Sequence, residues 1–360
     1  MPISTASEDR DRREELAEAV RAASEDARPL RIVGGDTKRF YGRPVEGEPL
    51  SLAGHRGVLS YDPSELVITA RSGTPLIEIE ASLAAQRQRL AFEPLLFGGA
   101  STLGGCVAAG LAGARRPFAG AVRDSVLGVT VMNGRGEALR LGGTVFKNVA
   151  GFDAFRLMAG AQGCLGPLLD VSLRVAPDPA HEIAVALAEP WERSRPRLIA
   201  LMRRPTPLSG ALHDGKTLHL RLSGAKAGVA ALAQELGGEP EDPSFWRALR
   251  ERRLAPLDAN RLWRLVIPMG ADTSSVEPLG GALLRDWAGA ELWLATDAPP
   301  ARVRAAAVEA GGHATLFRGA AAGEETFAPL PPALLSLHQR IKAAFDPARV
   351  FNPGRMYEGL

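Results

Sequence analysis

A chain of 360 residues that is 46% hydrophobic is long enough for about two cores of ~100–200 residues each, which excludes wholesale disorder. A formal net charge of +2 excludes the global field that gathers nucleic acid or coats an anionic membrane, so any anionic partner must be met locally. The two cysteines, Cys106 and Cys164, stand in no CxxC or Cys/His cluster, which excludes a disulfide framework and a structural zinc site.

In chain order, the charged N-terminus has no apolar targeting segment, and residues 8–25 predict an amphipathic helix with Leu16, Ala19, Val20 and Ala23 on its apolar face. With no run of about 18 apolar residues anywhere, the chain reads as soluble and cytoplasmic, with peripheral attachment at the inner membrane through partner subunits left open. "LRIVGG", "PLSL", "GVLSYD" and "ELVITA" are short apolar runs punctuated by Gly, Pro and Asp, the pattern of β-strands. Thr74 and Pro75 are placed as N-cap and first residue of a helix running to about Gln88. Asn133 and Gly134 predict a tight turn joining two strands within 126–141. A first domain ends near 178 in an Asp/Pro run. Residues 180–325 hold all five tryptophans and predict a second α+β unit, with a Gly/Ala hinge at 319–323 and a helix from Pro332 to about Phe345.

Glycine is concentrated between Gly98 and Gly166, 16 in 69 residues, and this window carries a net +4 while the rest of the chain carries −2. Two readings stand. Glycine lets successive N–H groups converge on an anion without a Cβ in the way, as a phosphate site needs; or these are tight turns with solvated arginines. The loop "VGGDTKRFYG" after a strand, with Lys38 near the charge, favours phosphate. So does "PLLFGGASTLGGCVAAG", where Ser101 and Thr102 are placed to cap a short helix, and so does "AGAQGCLGPL". No GxGxxG opens a βαβ unit. "GALHDGKT", Gly210–Thr217, spells a Walker A motif, but "TLHLRL" after it alternates as a strand and Asp214-Gly215 reads as a hairpin turn, so ATP is not its ligand.

"RIVGGDTKRFYG", "GGASTLGGCVAAGLAG", "RDSVLGVTVMNGRGEALRLGG", "VFKNVAGFDAFRLMAGAQGCLG" and "FDPARVFNPGRMY" together resemble the FAD-binding fold of the vanillyl-alcohol oxidase and p-cresol methylhydroxylase (PCMH) type. More closely they resemble the smaller FAD-binding subunit of bacterial glycolate oxidase. The resemblance implies an α+β chain: a two-subdomain FAD-binding domain over 1–178, a smaller α+β cap or interface domain over 179–325, and a tail over 326–360 packing back on the flavin domain. It implies Gly34, Gly35, Asp36, Thr37 and Lys38, with Gly98, Gly99, Ala100, Ser101, Thr102, Gly104 and Gly105, around the pyrophosphate. Gly163, Cys164, Leu165, Gly166 and Leu168 would line the flavin or adenine end, and Asn352 with Pro353 would return toward the isoalloxazine. Lys147, Asn148, Gly151 and Arg156 would meet a buried anionic cofactor, with Asp153 balancing charge. An Asp153–Arg156 pair at i,i+3 is the competing reading. The 34–38 loop has neither His nor Cys to tether a flavin, so FAD is expected to be non-covalent, with Cys106 packed.

Oxidising a 2-hydroxy acid needs a base, a cation for the carboxylate and a placed flavin. The six histidines form no metal motif. His213 and His219 read as exposed strand residues; Lys147 and His338 are the catalytic candidates. The resemblance implies a glycolate dehydrogenase assembly with a larger FAD subunit and an iron–sulfur subunit, passing electrons from glycolate toward a quinone or other acceptor. A non-catalytic assembly subunit and a stand-alone FAD-dependent oxidoreductase are the alternatives. Phe245 and Trp246 are candidates for a partner contact or for core.

Overall fold

The computed structural model describes residues 9–144, 153–321 and 323–360. The chain divides into two compact units, one of Met1–Ala112, Ala121–Asp178 and Pro329–Leu360, the other of Gly113–Gly120 and Pro179–Ala328.

In the first unit α1 (Arg13–Glu25) buries Leu16, Ala17, Val20 and Ala23. Ala19 is exposed, because a stripe at i, i+1, i+4 and i+7 sits on one face of a 3.6-residue helix. β1 (Leu30–Val33) pairs in parallel with β2 (Glu48–Ser51) and bridges Phe351 of the tail through Leu30. β3 (Val58–Asp62) and β4 (Val67–Arg71) form an antiparallel pair. α2 runs over Leu76–Ala84, with Pro75 as N-cap. Thr74 does not cap it: its hydroxyl exchanges hydrogen bonds with the backbone of Gly57. The helix stops before Gln88, which with Arg89 makes β5. α3 (Leu103–Ala109) is capped by the Thr102 side chain accepting from the Gly105 N–H. After α4 (Arg116–Ala119) and α5 (Val122–Ser125) come β6 (Val126–Met132) and β7 (Ala138–Gly142). The hairpin is real, but its loop is five residues long: Asn133 Oδ1 accepts from the N–H groups of Arg135 and Glu137, and the positive φ falls on Gly136. β8 (Leu168–Arg174) completes a five-stranded sheet in the order β3-β4-β8-β6-β7, and β9 (Ala176–Pro177) pairs with β5. α2 and α3 bury Leu76, Ile79, Leu83, Leu103 and Val107 with sheet residues such as Ile68, Val129 and Val171, each worth about 1.5–3 kcal/mol of transfer free energy.

Among the described residues, the second unit is built on one antiparallel sheet of eight strands. Its strands are β10 (His181–Leu187), β11 (Leu208–His213), β12 (Leu218–Gly224), β13 (Glu239–Pro240), β14 (Leu262–Val266), β15 (Ala282–Asp286), β16 (Glu291–Ala295) and β17 (His313–Arg318). They lie in the order β13-β10-β12-β11-β15-β16-β14-β17. The helices are α6 (Trp191–Met202), α7 (Lys226–Leu236), α8 (Ser244–Arg250) and α9 (Pro300–Glu309). Residues 113–120, which the sequence runs on continuously with the first unit, join this one for a physical reason. Trp287 Nε1–H donates to Gly113 O at 3.0 Å, Arg116 stacks on the Trp287 ring at 4.3 Å, and Arg115 bonds Ser223 and Glu182.

All five tryptophans are buried, and each carries an arginine over its ring, from 4.1 Å for Arg252 on Trp293 to 5.4 Å for Arg304 on Trp263. Trp246 is therefore core, with Arg221 against it, and Phe245 stacks on the His219 ring at 4.0 Å. The Walker-like motif closes the β11–β12 hairpin, where Asp214 Oδ1 accepts from the N–H groups of Lys216 and Thr217. No helix follows, so Lys216→Ala is expected to leave mant-ATP fluorescence unchanged.

His213 and His219 are buried, contrary to the exposed placement their turn-flanking positions suggest. His213 Nε2–H donates to Glu189 O at 3.0 Å and Nδ1 accepts from Gly215 N–H. Burial, with Arg285 nearby, holds the imidazole's pKa below its ordinary range. The folded state thus binds fewer protons than the unfolded one. Stability is complete above the unfolded value of about 6.5 and is lost as pH falls below it. Urea midpoints measured at pH 7.5 and 5.5 should show this decline, and it should be shallower in His213→Gln.

The helix α10 (Pro332–Phe345) belongs to the first unit. Among the described residues no helix is long and apolar enough to cross a membrane.

Candidate cofactor cleft

Four segments of the first unit meet in one cleft: the loop following β1, the first turns of α3, the turn before β8 and the C-terminal tail. Its empty volume, open mouth included, is about 980 Å³. Of the sequence-predicted residues, Gly34, Gly35, Asp36, Thr37, Lys38, Thr102, Gly104, Gly105, Gly163, Gly166, Leu168 and Asn352 line it.

The glycines do two different jobs. A Cβ on Gly35 would fall inside the Ala100 carbonyl, and one on Gly34 would collide with Thr102 Oγ1. These glycines exist so that the 34–38 loop can lie against the 100–102 segment, a contact reinforced by Thr37 and Ser101 hydroxyls 3.0 Å apart. Gly105, by contrast, would meet only Thr102 Oγ1, at 3.1 Å. With Ala108 one turn on, it keeps α3 bare where it faces the cleft.

The cleft is positive where it is narrowest in sequence choice. Lys38 approaches the Phe97 ring at 5.2 Å, and among the described residues no carboxylate pairs with it. Burial pulls its ammonium below the ordinary lysine range, a shift that an anion beside it would oppose. Asp36, exposed in the left-handed region, is matched by Arg31 at 3.2 Å. Arg355, which the sequence reading did not single out, lines the same cleft. Its guanidinium donates to Tyr41 O at 2.6 Å, Arg43 O at 3.0 Å and Lys38 O at 3.2 Å, so the tail clamps the loop that carries Lys38.

Asn352 holds the opposite wall: Oδ1 accepts from Ile32 N–H at 2.8 Å and Nδ2 donates to Gln162 O at 2.6 Å. Beneath it lies a buried ion pair. Lys342 Nζ donates to Asp346 Oδ2 at 2.8 Å, Cys164 O at 2.8 Å and Phe351 O at 2.6 Å, and Asp346 also accepts from the N–H groups of Val350 and Phe351. The Cys164 thiol points toward Asn352 O and is not itself among the lining residues, and burial pushes its pKa up to about 11. Leu165 packs on the core. Both cysteines are buried, so dithionitrobenzoate is expected to leave them unmodified at pH 8 until denaturant is added.

Other expected members are not brought to the cleft lining. Gly98, Gly99 and Ala100 are exposed at the preceding loop, and Ser101 is buried behind Thr37. Arg156 is exposed and pairs with Asp153 at 3.1 Å, the i,i+3 alternative, because the 3-10 turn at 154–158 turns both charges to solvent. His338 lies on α10 with its ring 6.4 Å from that of Tyr357. Lys147, Asn148 and Gly151 lie outside the described residues. Among those described, no group of three or more His, Cys, Asp or Glu side chains is placed to hold a metal ion.

The cleft fits a long anionic cofactor: a cation that pairs with no carboxylate among the described residues, glycines that let the 34–38 loop lie against the 100–102 segment, and an apolar wall of Val45, Leu52, Met158 and Leu168. Residues 11–142, which supply two of its four walls, match the model of the FAD binding domain. The class is thus that of FAD-dependent oxidoreductases. Over 346 residues the chain is 44% identical to glycolate oxidase subunit GlcE of Escherichia coli (strain K12), covering 96% of this chain and 97% of that protein. The chain belongs to the GlcE family. It is also 32% identical over 182 residues to a D-lactate dehydrogenase of Anaerostipes hadrus, spanning 50% of this chain and 37% of that one. Glycolate oxidase subunit GlcD of Bacillus subtilis (strain 168) is 30% identical over 169 residues, 46% of this chain and 36% of its own length. A solved structure of alkyldihydroxyacetonephosphate synthase superposes with a TM-score of 0.65 over 94% of this chain and 75% of its own, at 15% identity, which shows that the fold is shared.

Proposed function

We propose that this chain is the FAD-binding subunit of a glycolate-oxidising complex, converting glycolate to glyoxylate. The observation that carries this is 44% identity to glycolate oxidase subunit GlcE across nearly the whole of both chains. In this reading FAD sits in the cleft described above without a covalent bond; neither histidine nor cysteine is among the described residues that line it. Bound FAD supplies the two-electron acceptor that oxidation of a CH–OH group requires. Lys38 presents positive charge to the diphosphate, with Arg355 fixing the loop that carries it. Gly105 and Ala108 leave α3 open to close approach, and Asn352 sets the distance between β1 and the 161–166 turn. A larger FAD-binding subunit of the GlcD type and an iron–sulfur subunit complete the assembly, which passes electrons to a quinone or other acceptor and reaches the membrane only through those partners.

The test is the visible spectrum of the purified chain before and after anaerobic glycolate, followed by acid precipitation. Flavin colour that leaves with the supernatant is the expected result. Bleaching by glycolate assigns substrate oxidation to this chain, whereas colour without bleaching assigns it to the assembled complex. A colourless chain that still restores activity to its partners would replace this reading with that of an assembly subunit.

A further inference from the structure

We infer that Lys342 is a positioning residue for FAD, fixing the spacing between two walls of the cofactor cleft; this rests on the cleft being the FAD site. Lys342 is 1% exposed and its partner Asp346 0%. An ammonium has three donors, and all three are used here, two of them on backbone carbonyls that belong to different walls. One is Cys164 O, in the turn whose neighbours Gly163 and Gly166 line the cleft; the other is Phe351 O, next to the cleft-lining Asn352. The Asn352 side chain makes a second tie between the same two segments through Gln162 O. Turn and tail are therefore joined by the Asn352 amide and the Lys342 ammonium, with the Cys164 thiol to Asn352 O at 3.7 Å as a weaker tie.

Stability alone gives a poor account of this lysine. A buried ion pair replaced by apolar groups of similar size often leaves stability unchanged or raised, because desolvation offsets the Coulomb attraction. What a methionine cannot reproduce is the pair of directional bonds to Cys164 O and Phe351 O. Losing them frees the tail to shift relative to the turn, and a displacement of about 1 Å is large for a bound group that must be oriented.

The experiment uses the full chain stripped of flavin and titrated with FAD by fluorescence, comparing wild type, Lys342→Met and Leu83→Ala. Leu83 is fully buried in the core of the first unit, away from the cleft lining, and serves as a control for loss of stability in the unit that holds the cleft. Lys342→Met is expected to weaken FAD binding at least tenfold and to alter the visible circular dichroism of bound flavin, while Leu83→Ala stays within about twofold of wild type. Wild-type affinity and an unchanged flavin spectrum in Lys342→Met would overturn the inference. Should that variant fail to fold, hydrogen exchange on the wild type decides. FAD is expected to protect the amides of Cys164–Gly166 and Val350–Arg355 together, and protection of neither segment overturns the proposal. Ala108→Trp, which fills the cleft from α3, tests the site itself. Retained FAD binding there would remove the cleft assignment and the role of Lys342 with it. Loss of binding in Ala108→Trp with none in Lys342→Met would remove only the latter.

Discussion

Gly35→Val is expected to yield protein with less than a tenth of the wild-type FAD content, whereas Gly99→Ala, a few residues away in space, should retain all of it. The difference lies in what a new side chain meets. At Gly35 even a Cβ falls inside the Ala100 carbonyl, and at Gly99 there is nothing within 4 Å. To admit valine, the 34–38 loop must separate from the 100–102 segment. That breaks the Thr37–Ser101 contact and moves Lys38 away from the cleft it lines. Overpacking at a backbone contact costs on the order of 1–3 kcal/mol or more, and here the cost is concentrated in one cleft wall. The measurement is the ratio of visible flavin to protein absorbance after purification, with far-ultraviolet circular dichroism to show that the sheet persists. Full flavin content in Gly35→Val would mean that the loop and the 100–102 segment do not need their close approach. Loss of flavin in Gly99→Ala would restore the 98–100 stretch to the cofactor site.

The contrast between these two glycines shows what was legible in the sequence. Strand-like runs, the amphipathic α1, the β6–β7 hairpin and the strand-forming halves of the Walker-like motif follow from local periodicity and turn chemistry, which neighbours in sequence determine. The α+β class and the FAD cofactor were legible too, and the 34–38 loop was found because glycine after a strand with a lysine nearby has a local signature. What glycine is for is not local. Gly34 and Gly35 make room for another segment of backbone, and Gly105 leaves a face open; composition reads the three alike. Lys342 has the pattern of a solvated helix residue, and only the return of residues 346–352 over the helix end buries it. Arg355 was hidden in the same way, since its acceptors are more than 300 residues away in sequence. The excursion of 113–120 into the second unit and the burial of His213 and His219 likewise depend on partners that pattern does not reveal.

Asp346→Ala should be among the most destabilising single substitutions in the first unit, costing roughly 3–5 kcal/mol, the range for removing one partner of a buried pair. The carboxylate accepts from Lys342 Nζ and from the N–H groups of Val350 and Phe351. Its loss therefore leaves an ammonium without its counter-charge and two backbone donors unpaired in a site that water does not reach. At about 2–4 °C per kcal/mol for domains of this size, calorimetry should show the first unit's transition lowered by roughly 6–20 °C. Asp346→Asn keeps an acceptor for the backbone donors, and the Lys342→Met/Asp346→Asn double variant removes both charges. It should be more stable than the sum of its two single variants predicts, with a coupling on the order of 0.5–3 kcal/mol. Additive losses would show that the two charges do not interact, and a cost below about 1 kcal/mol for Asp346→Ala would place the carboxylate in contact with solvent. A large coupling in stability combined with weakened FAD binding in Lys342→Met would separate the two roles of the lysine. One is to be neutralised by Asp346; the other is to hold two carbonyls at a fixed distance across the cofactor cleft.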